Sequence, residues 1–151
     1  MMYGHITFTL LIQNIKNKKL LLWFIFAAWC ANLDYLMPGV EHGGITHTLV
    51  YAVPIAIAGF ILLKWEGVEY GIVGQVIHML LDTPTETGIM WLYPFSTERF
   101  SLNLWTNTGA LGIGGYYSQP APLFIESMLL IGLIVRYHRP ASEYLKKQFL
   151  K

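Results

Sequence analysis

The chain has 151 residues, with ten Lys and Arg against nine Asp and Glu, and it is 54% hydrophobic but only 13% charged. A soluble domain is usually about 25% charged, so with a mean hydropathy of +0.46 the composition points to a membrane and to a single domain over residues 1–151. A net charge of +1 leaves no basic stripe to track a phosphate backbone, which sets nucleic-acid binding aside.

Residues 3–15 form an apolar segment too short to cross a bilayer alone at 1.5 Å per residue. Lys16, Lys18 and Lys19 then mark a turn in water. Residues 20–37 are the first spanning candidate and end at Asp34 and Pro38. A glycine-rich turn over 39–44 carries His42. Residues 45–63 read as a second span, with Pro54 as a tolerated kink. Residues 64–69 read as a polar turn, 70–82 as a short third span, and 83–120 as a long loop rich in aromatics and proline. Residues 121–137 are the last span, followed by a basic tail. The expected fold is all-α: a polytopic bundle of about four spanning helices, a short N-terminal apolar helix and a long aromatic-rich loop. The lone Cys30 sits in an apolar run and reads as a small core residue. The first residues lack the basic n-region and small-residue cleavage site of a signal peptide, so insertion is expected to use the helices themselves. The glycine-rich stretch 109–115 lacks the Lys-Ser/Thr of a phosphate loop and reads as a connection.

Cytoplasmic loops of membrane proteins are enriched in Lys and Arg. The basic residues are Lys16, Lys18, Lys19, Lys64, Arg99, Arg136, Arg139, Lys146, Lys147 and Lys151. With four spans, all except Arg99 fall on one side, which should be cytoplasmic. His5, Asp34, His42, His47, His78 and Asp82 then fall together on the non-cytoplasmic side. The N-terminal segment would dip in, turn at the lysines, and form a hairpin with the first span that returns His5 to the level of Asp34.

Those six side chains are the candidate metal ligands. His78 and Asp82 are four apart on a helix and face the same way, which suits either a metal or a local hydrogen bond at a helix end. Ionisable groups at membrane depth are costly and usually functional, which favours the metal. His42 and His47 flank glycines that permit a tight turn; His42 could otherwise be solvated. Asp34 needs a cation or several donors. His5 is the weakest of the six by spacing. Glu126, within the last span, could support a metal-bound histidine or snorkel to the interface. Glu41 and Glu86 are loop acids, either of which could act as a base or simply be solvated. The loop aromatics fit an interfacial belt or a lid over a cleft.

In order along the chain stand Gly4-His5, Leu33-Asp34 with Pro38, His42-Gly43-Gly44-Ile45-Thr46-His47-Thr48, His78 and Asp82 with Thr83-Pro84 and Gly88, then Trp91, Pro94 and Phe95. This order, over residues 4–100, resembles the YdjM-type family of membrane-bound, metal-dependent hydrolases. Gly43 stands where that family usually has arginine, and Asn32-Leu33-Asp34 where it has Asp-x-Asp. The family is in turn similar to zinc-dependent phospholipases C and single-strand nucleases, which hold zinc between helices. That likeness implies one metal shell from Asp34, one of His42 or His47, His78 and Asp82. The histidine–glutamate helix that completes the larger clusters is not visible, which favours one or two metals over three.

The resulting expectation is a membrane hydrolase that cleaves a small-molecule or lipid phosphoester with metal-activated water. Asp34, His47, His78 and Asp82 would ligate one ion, while His5 and His42 hold a second ion or the phosphate. Asp34, Asp82 and His42 are the catalytic candidates. The nitrogen and oxygen donors suit Zn first, then Mn or Fe. A non-catalytic metal staple between helices is the main alternative. The apolar middles of the spans count against an ion transporter.

Overall fold

The structure, a computed structural model, describes residues 3–106 and 114–149, with side chains as far as His138. Residues 109–113 of the glycine-rich stretch, Lys151, and the side chains of Arg139, Lys146 and Lys147 lie outside that description. Four helices form the frame: α1 (Gly4–Ile12), α2 (Lys18–Trp29), α3 (Ala52–Asp82) and α4 (Pro120–Phe149). Among the described residues, three stretches are long and apolar enough to cross a membrane, namely Lys18–Leu36, Leu49–Asp82 and Pro120–His138.

The chain enters α2 through Asn17, whose side chain accepts the Lys19 N–H at 3.0 Å and satisfies one orphan donor of the first turn. Ahead of Pro38 the helix tightens into a 3-10 segment, Cys30–Leu36, as helices commonly do at their ends. Two further 3-10 turns, Ile45–His47 and Leu49–Tyr51, precede α3. The span expected over 45–63 therefore becomes helical in the α sense only at Ala52.

The larger departure concerns the polar turn expected over 64–69. Helix runs through it, and a single residue, Lys64, leaves helical geometry with φ 59°. In a straight helix residues eight apart lie about 12 Å apart along the axis. Here the backbones of Gly59 and Gly67 touch, and a Cβ on Gly71 would lie 3.0 Å from Ile55 Cγ2. The chain thus folds back at Lys64, making an antiparallel hairpin of residues 52–63 and 65–82. The two spans expected at 45–63 and 70–82 are the arms of one helical stretch. Glycine lets them approach to backbone contact, as small residues do between helices in lipid.

The second arm packs on α2 in the same direction. Trp23 Nε1 donates to the Gly67 carbonyl at 2.7 Å, and His78 Nδ1 lies 2.9 Å from the Ala28 carbonyl. Between them Gly74 sits against Ala27 and Ala28. Trp23, Ala27, Cys30 and Ile55 form the buried core of this contact. α1 packs on α2, α3 and α4. Its free C-terminal carbonyls are covered by Arg136, which donates to the carbonyls of Leu11 and Gln13, a favourable place for a cation. These contacts put Lys16, Lys18, Lys19, Lys64 and Arg136 toward one end of the bundle. His5, Asp34, His47, His78 and Asp82 gather at the other.

Residues 83–106 fold over that second end rather than trailing as open loop. Ile89 and Phe100 exchange backbone hydrogen bonds at 2.9 and 3.0 Å, Thr85 bridges to Trp105, and Trp105 is buried. A helical turn over residues 114–117 leads toward α4.

Candidate metal centre

The 3-10 turn after α2 aims Asp34 inward. Its carboxylate is buried and densely supplied with donors. His42 Nδ1 lies 3.1 Å from both oxygens, Thr46 Oγ1 donates at 3.1 Å, and His47 Nδ1 lies at 3.3 Å. His42 reaches it because the chain reverses at once after it. Gly43 has φ +75°, where only glycine is at ease, and a Cβ on Gly44 would lie 2.8 Å from the Glu41 carbonyl. The His42 ring stacks on Tyr35 at 4.1 Å and is the one partly exposed imidazole of the four.

A second carboxylate, Asp82, ends α3. His78 Nε2 lies 3.1 Å from Oδ2, His47 Nε2 lies 3.4 Å from the same oxygen, and His5 Nε2 lies 3.2 Å from Oδ1. His5 arrives on α1 and stacks on the His78 ring at 4.1 Å. Gln75, one turn before His78, donates to the carbonyls of Thr46 at 2.9 Å and Thr48 at 3.2 Å. It thereby fixes the backbone on which His47 sits.

The hydrogen bonds assign the rings. His78 Nδ1–H donates to the Ala28 carbonyl, which leaves its Nε2 as a lone pair. Thr46 gives its hydroxyl proton to Asp34, so its oxygen accepts His47 Nδ1–H at 3.0 Å, and His47 Nε2 is likewise a lone pair. Among the described residues, the Nε2 atoms of His5, His47 and His78 are buried without a hydrogen bond, although each stands 3.1–3.4 Å from an Asp82 oxygen. The lone pairs of His47 and His78 gain nothing from the carboxylate directly; a cation beside them would satisfy both.

The structure brings all six sequence candidates together, in two groups that could hold a metal ion: His5, His78 and Asp82, and Asp34, His42 and His47. The division expected from sequence differed, placing Asp34 with His78 and Asp82, and His5 with His42. The packing of α1 against α3 sets His5 on His78, and the turn at Gly43 and Gly44 sets His42 on Asp34. His47 has one nitrogen on each side. Glu126 meets no histidine; its carboxylate accepts Tyr117 OH at 2.7 Å and Tyr116 OH at 3.4 Å. Glu86 is exposed and accepts from Thr106 at 2.9 Å. Glu41 pairs with Arg99 at 3.0 Å.

Three residues of the site were not singled out from sequence. Thr46 and Gln75 orient the ligands, and Gln75 carried a signal as a polar side chain inside an apolar helix. Arg99 donates to the Gly43 carbonyl at 2.9 Å, and a Cβ at position 43 would meet its Nη1 at 2.9 Å.

The family model described as YdjM inner membrane protein matches residues 3–141. The chain belongs to the YdjM inner membrane protein family. Comparison with curated proteins and with solved structures finds no match. The YdjM match covers all six candidate ligands, and with the apolar helices it makes the chain a membrane protein.

Proposed function

We propose that this YdjM family member is a metal-dependent hydrolase of phosphoesters, with one divalent ion held by His5, His78 and Asp82 beside His47 Nε2. The observation that carries this reading is the set of buried, unbonded Nε2 atoms facing Asp82. In the Asp34 group the hydrogen bonds are instead internally complete, which favours one ion over two. The donors are nitrogen and oxygen without thiolate, and zinc suits them best, ahead of Mn or Fe. A divalent ion there would lower the pKa of bound water toward neutrality and polarise a phosphoryl oxygen.

The outer group supplies proton handling. Asp34 holds His42 Nδ1–H from both oxygens, fixing tautomer and ring plane. His42 Nε2 is then the base at the partly exposed rim, an imidazole oriented by a carboxylate. The positive-inside rule places the lysine end in the cytoplasm and the ligand end on the non-cytoplasmic side, with the arms of α3 as two passes. Residues 52–63 span only about 18 Å as helix, so the ligands lie near lipid headgroup depth.

The test is turnover of a soluble phosphodiester and of phospholipid vesicles by purified, metal-replete protein. His42→Ala is expected to keep its metal and to lose activity about 100-fold or more. Full burial of His5 and His78 gives the second reading its one support: an ion there would staple α1 to α3. Metal-replete wild type without turnover on either substrate is the outcome that favours the staple.

A further inference from the structure

We infer that Arg99 is the cation that binds the anionic phosphoryl group of the substrate, in a cavity beside the metal centre; this rests on the phosphoester reading above. Arg99 is the only Lys or Arg between Lys64 and Arg136. It lies at the end of the bundle away from the lysines, where its Nη1 donates to the carbonyl of Gly43, next to His42. The missing side chain at Gly43 leaves the room its guanidinium occupies.

A cavity of about 520 Å³ opens beside it, lined by Trp91, Leu92, Ser96, Glu98, Arg99 and Phe100. That volume suits a small ligand or a lipid headgroup. Trp91 Nε1 lies 3.2 Å from Thr83 Oγ1, and Thr83 follows Asp82. One wall is thus tied to the residue after Asp82, and Arg99 to the residue after His42. These two bonds link the cavity to the segments that carry both groups of the centre.

The guanidinium has capacity to spare. Arg has five N–H donors in a fork that matches phosphate. The bonds to Gly43 and Glu41 engage Nη1 and Nη2. Glu41 is a replaceable partner, since its side chain is 78% exposed and exposed pairs hold weakly. Glu98 is also exposed and solvated. Around the cavity Leu92, Phe95 and Phe100 project into the surroundings, Phe95 with 95% of its surface free. Apolar projections around a cation match the boundary between headgroups and acyl chains.

The experiment is calorimetric titration of inorganic phosphate into metal-replete protein in phosphatidylcholine nanodiscs. Arg99→Gln is expected to weaken phosphate at least about tenfold, as loss of charge-assisted bonds does, with metal content unchanged. Arg99→Lys should fall between, and Glu41→Gln should bind more tightly than wild type. Phosphate affinity unchanged in Arg99→Gln, with the metal present, overturns the assignment whether or not the protein turns over a phosphoester. Turnover absent while Arg99→Gln still loses phosphate sinks the hydrolase reading and leaves the anion site standing. Repeating the titration in phosphatidylglycerol nanodiscs separates the sources: competition identifies a lipid headgroup, and its absence a soluble phosphoester.

Discussion

Asp82→Asn is expected to empty the metal centre. Three imidazole nitrogens face this one carboxylate at 3.1–3.4 Å, and an amide of nearly the same volume supplies no charge to hold a cation among them. Loss of supporting groups alone commonly weakens metal sites 10–100-fold, so loss of a direct ligand should cost at least about 100-fold. Metal analysis of the purified variant should find about a tenth of the wild-type content or less. Because metal binding is also folding energy, addition of a chelator should lower the thermal midpoint of wild type and leave the variant unmoved. Glu86→Gln is the matched control: it removes an exposed carboxylate from the neighbouring loop and should change neither quantity.

The second large effect is expected at the hairpin of α3. A Cβ on Gly67 would run into the carbonyl of Gly59, and one on Gly59 into the carbonyl of Gly67. The obstruction is backbone on both sides, so no side chain can swing away. Overpacking typically costs about 1–3 kcal/mol, and Gly67→Ala should reach the top of that range. Gly67→Val should prevent the arms from closing. Gln75, His78 and Asp82 ride on the second arm, so metal affinity should fall with stability. Unfolding in denaturing detergent, followed by circular dichroism, measures the first effect. Gly114→Ala, where nothing among the described residues lies within 4 Å of the new methyl, should be silent.

Sequence showed the candidate ligands more readily than their partition. A carboxylate or imidazole in an apolar helix is conspicuous by its cost, and His78, Asp82 and Asp34 were legible for that reason. The separation of Lys16, Lys18, Lys19, Lys64 and Arg136 from the ligands was legible too, because the cations cluster between apolar runs. Which histidine meets which carboxylate was not. It depends on α1 lying against α3 with Arg136 over the end of α1, a contact between residues more than 120 positions apart. The fold at Lys64 was misread for a local reason. The residues after Lys64, including Glu66 and Glu69, look like a solvated turn, yet helix continues through them and only Lys64 departs. Gly67 and Gly71, four apart on one face, carried the signal of a close helix contact. Arg99 was visible as the exception to the charge sorting, but only the structure puts its guanidinium beside Gly43.

The buried imidazoles can be tested without any substrate. Protein purified from its membrane with no metal added should carry one divalent ion per chain by elemental analysis. His78→Ala should lose that ion, and His42→Ala should keep it. Wild-type protein free of metal, or a His78→Ala variant that retains the full complement, would contradict a cation bound among His5, His47, His78 and Asp82.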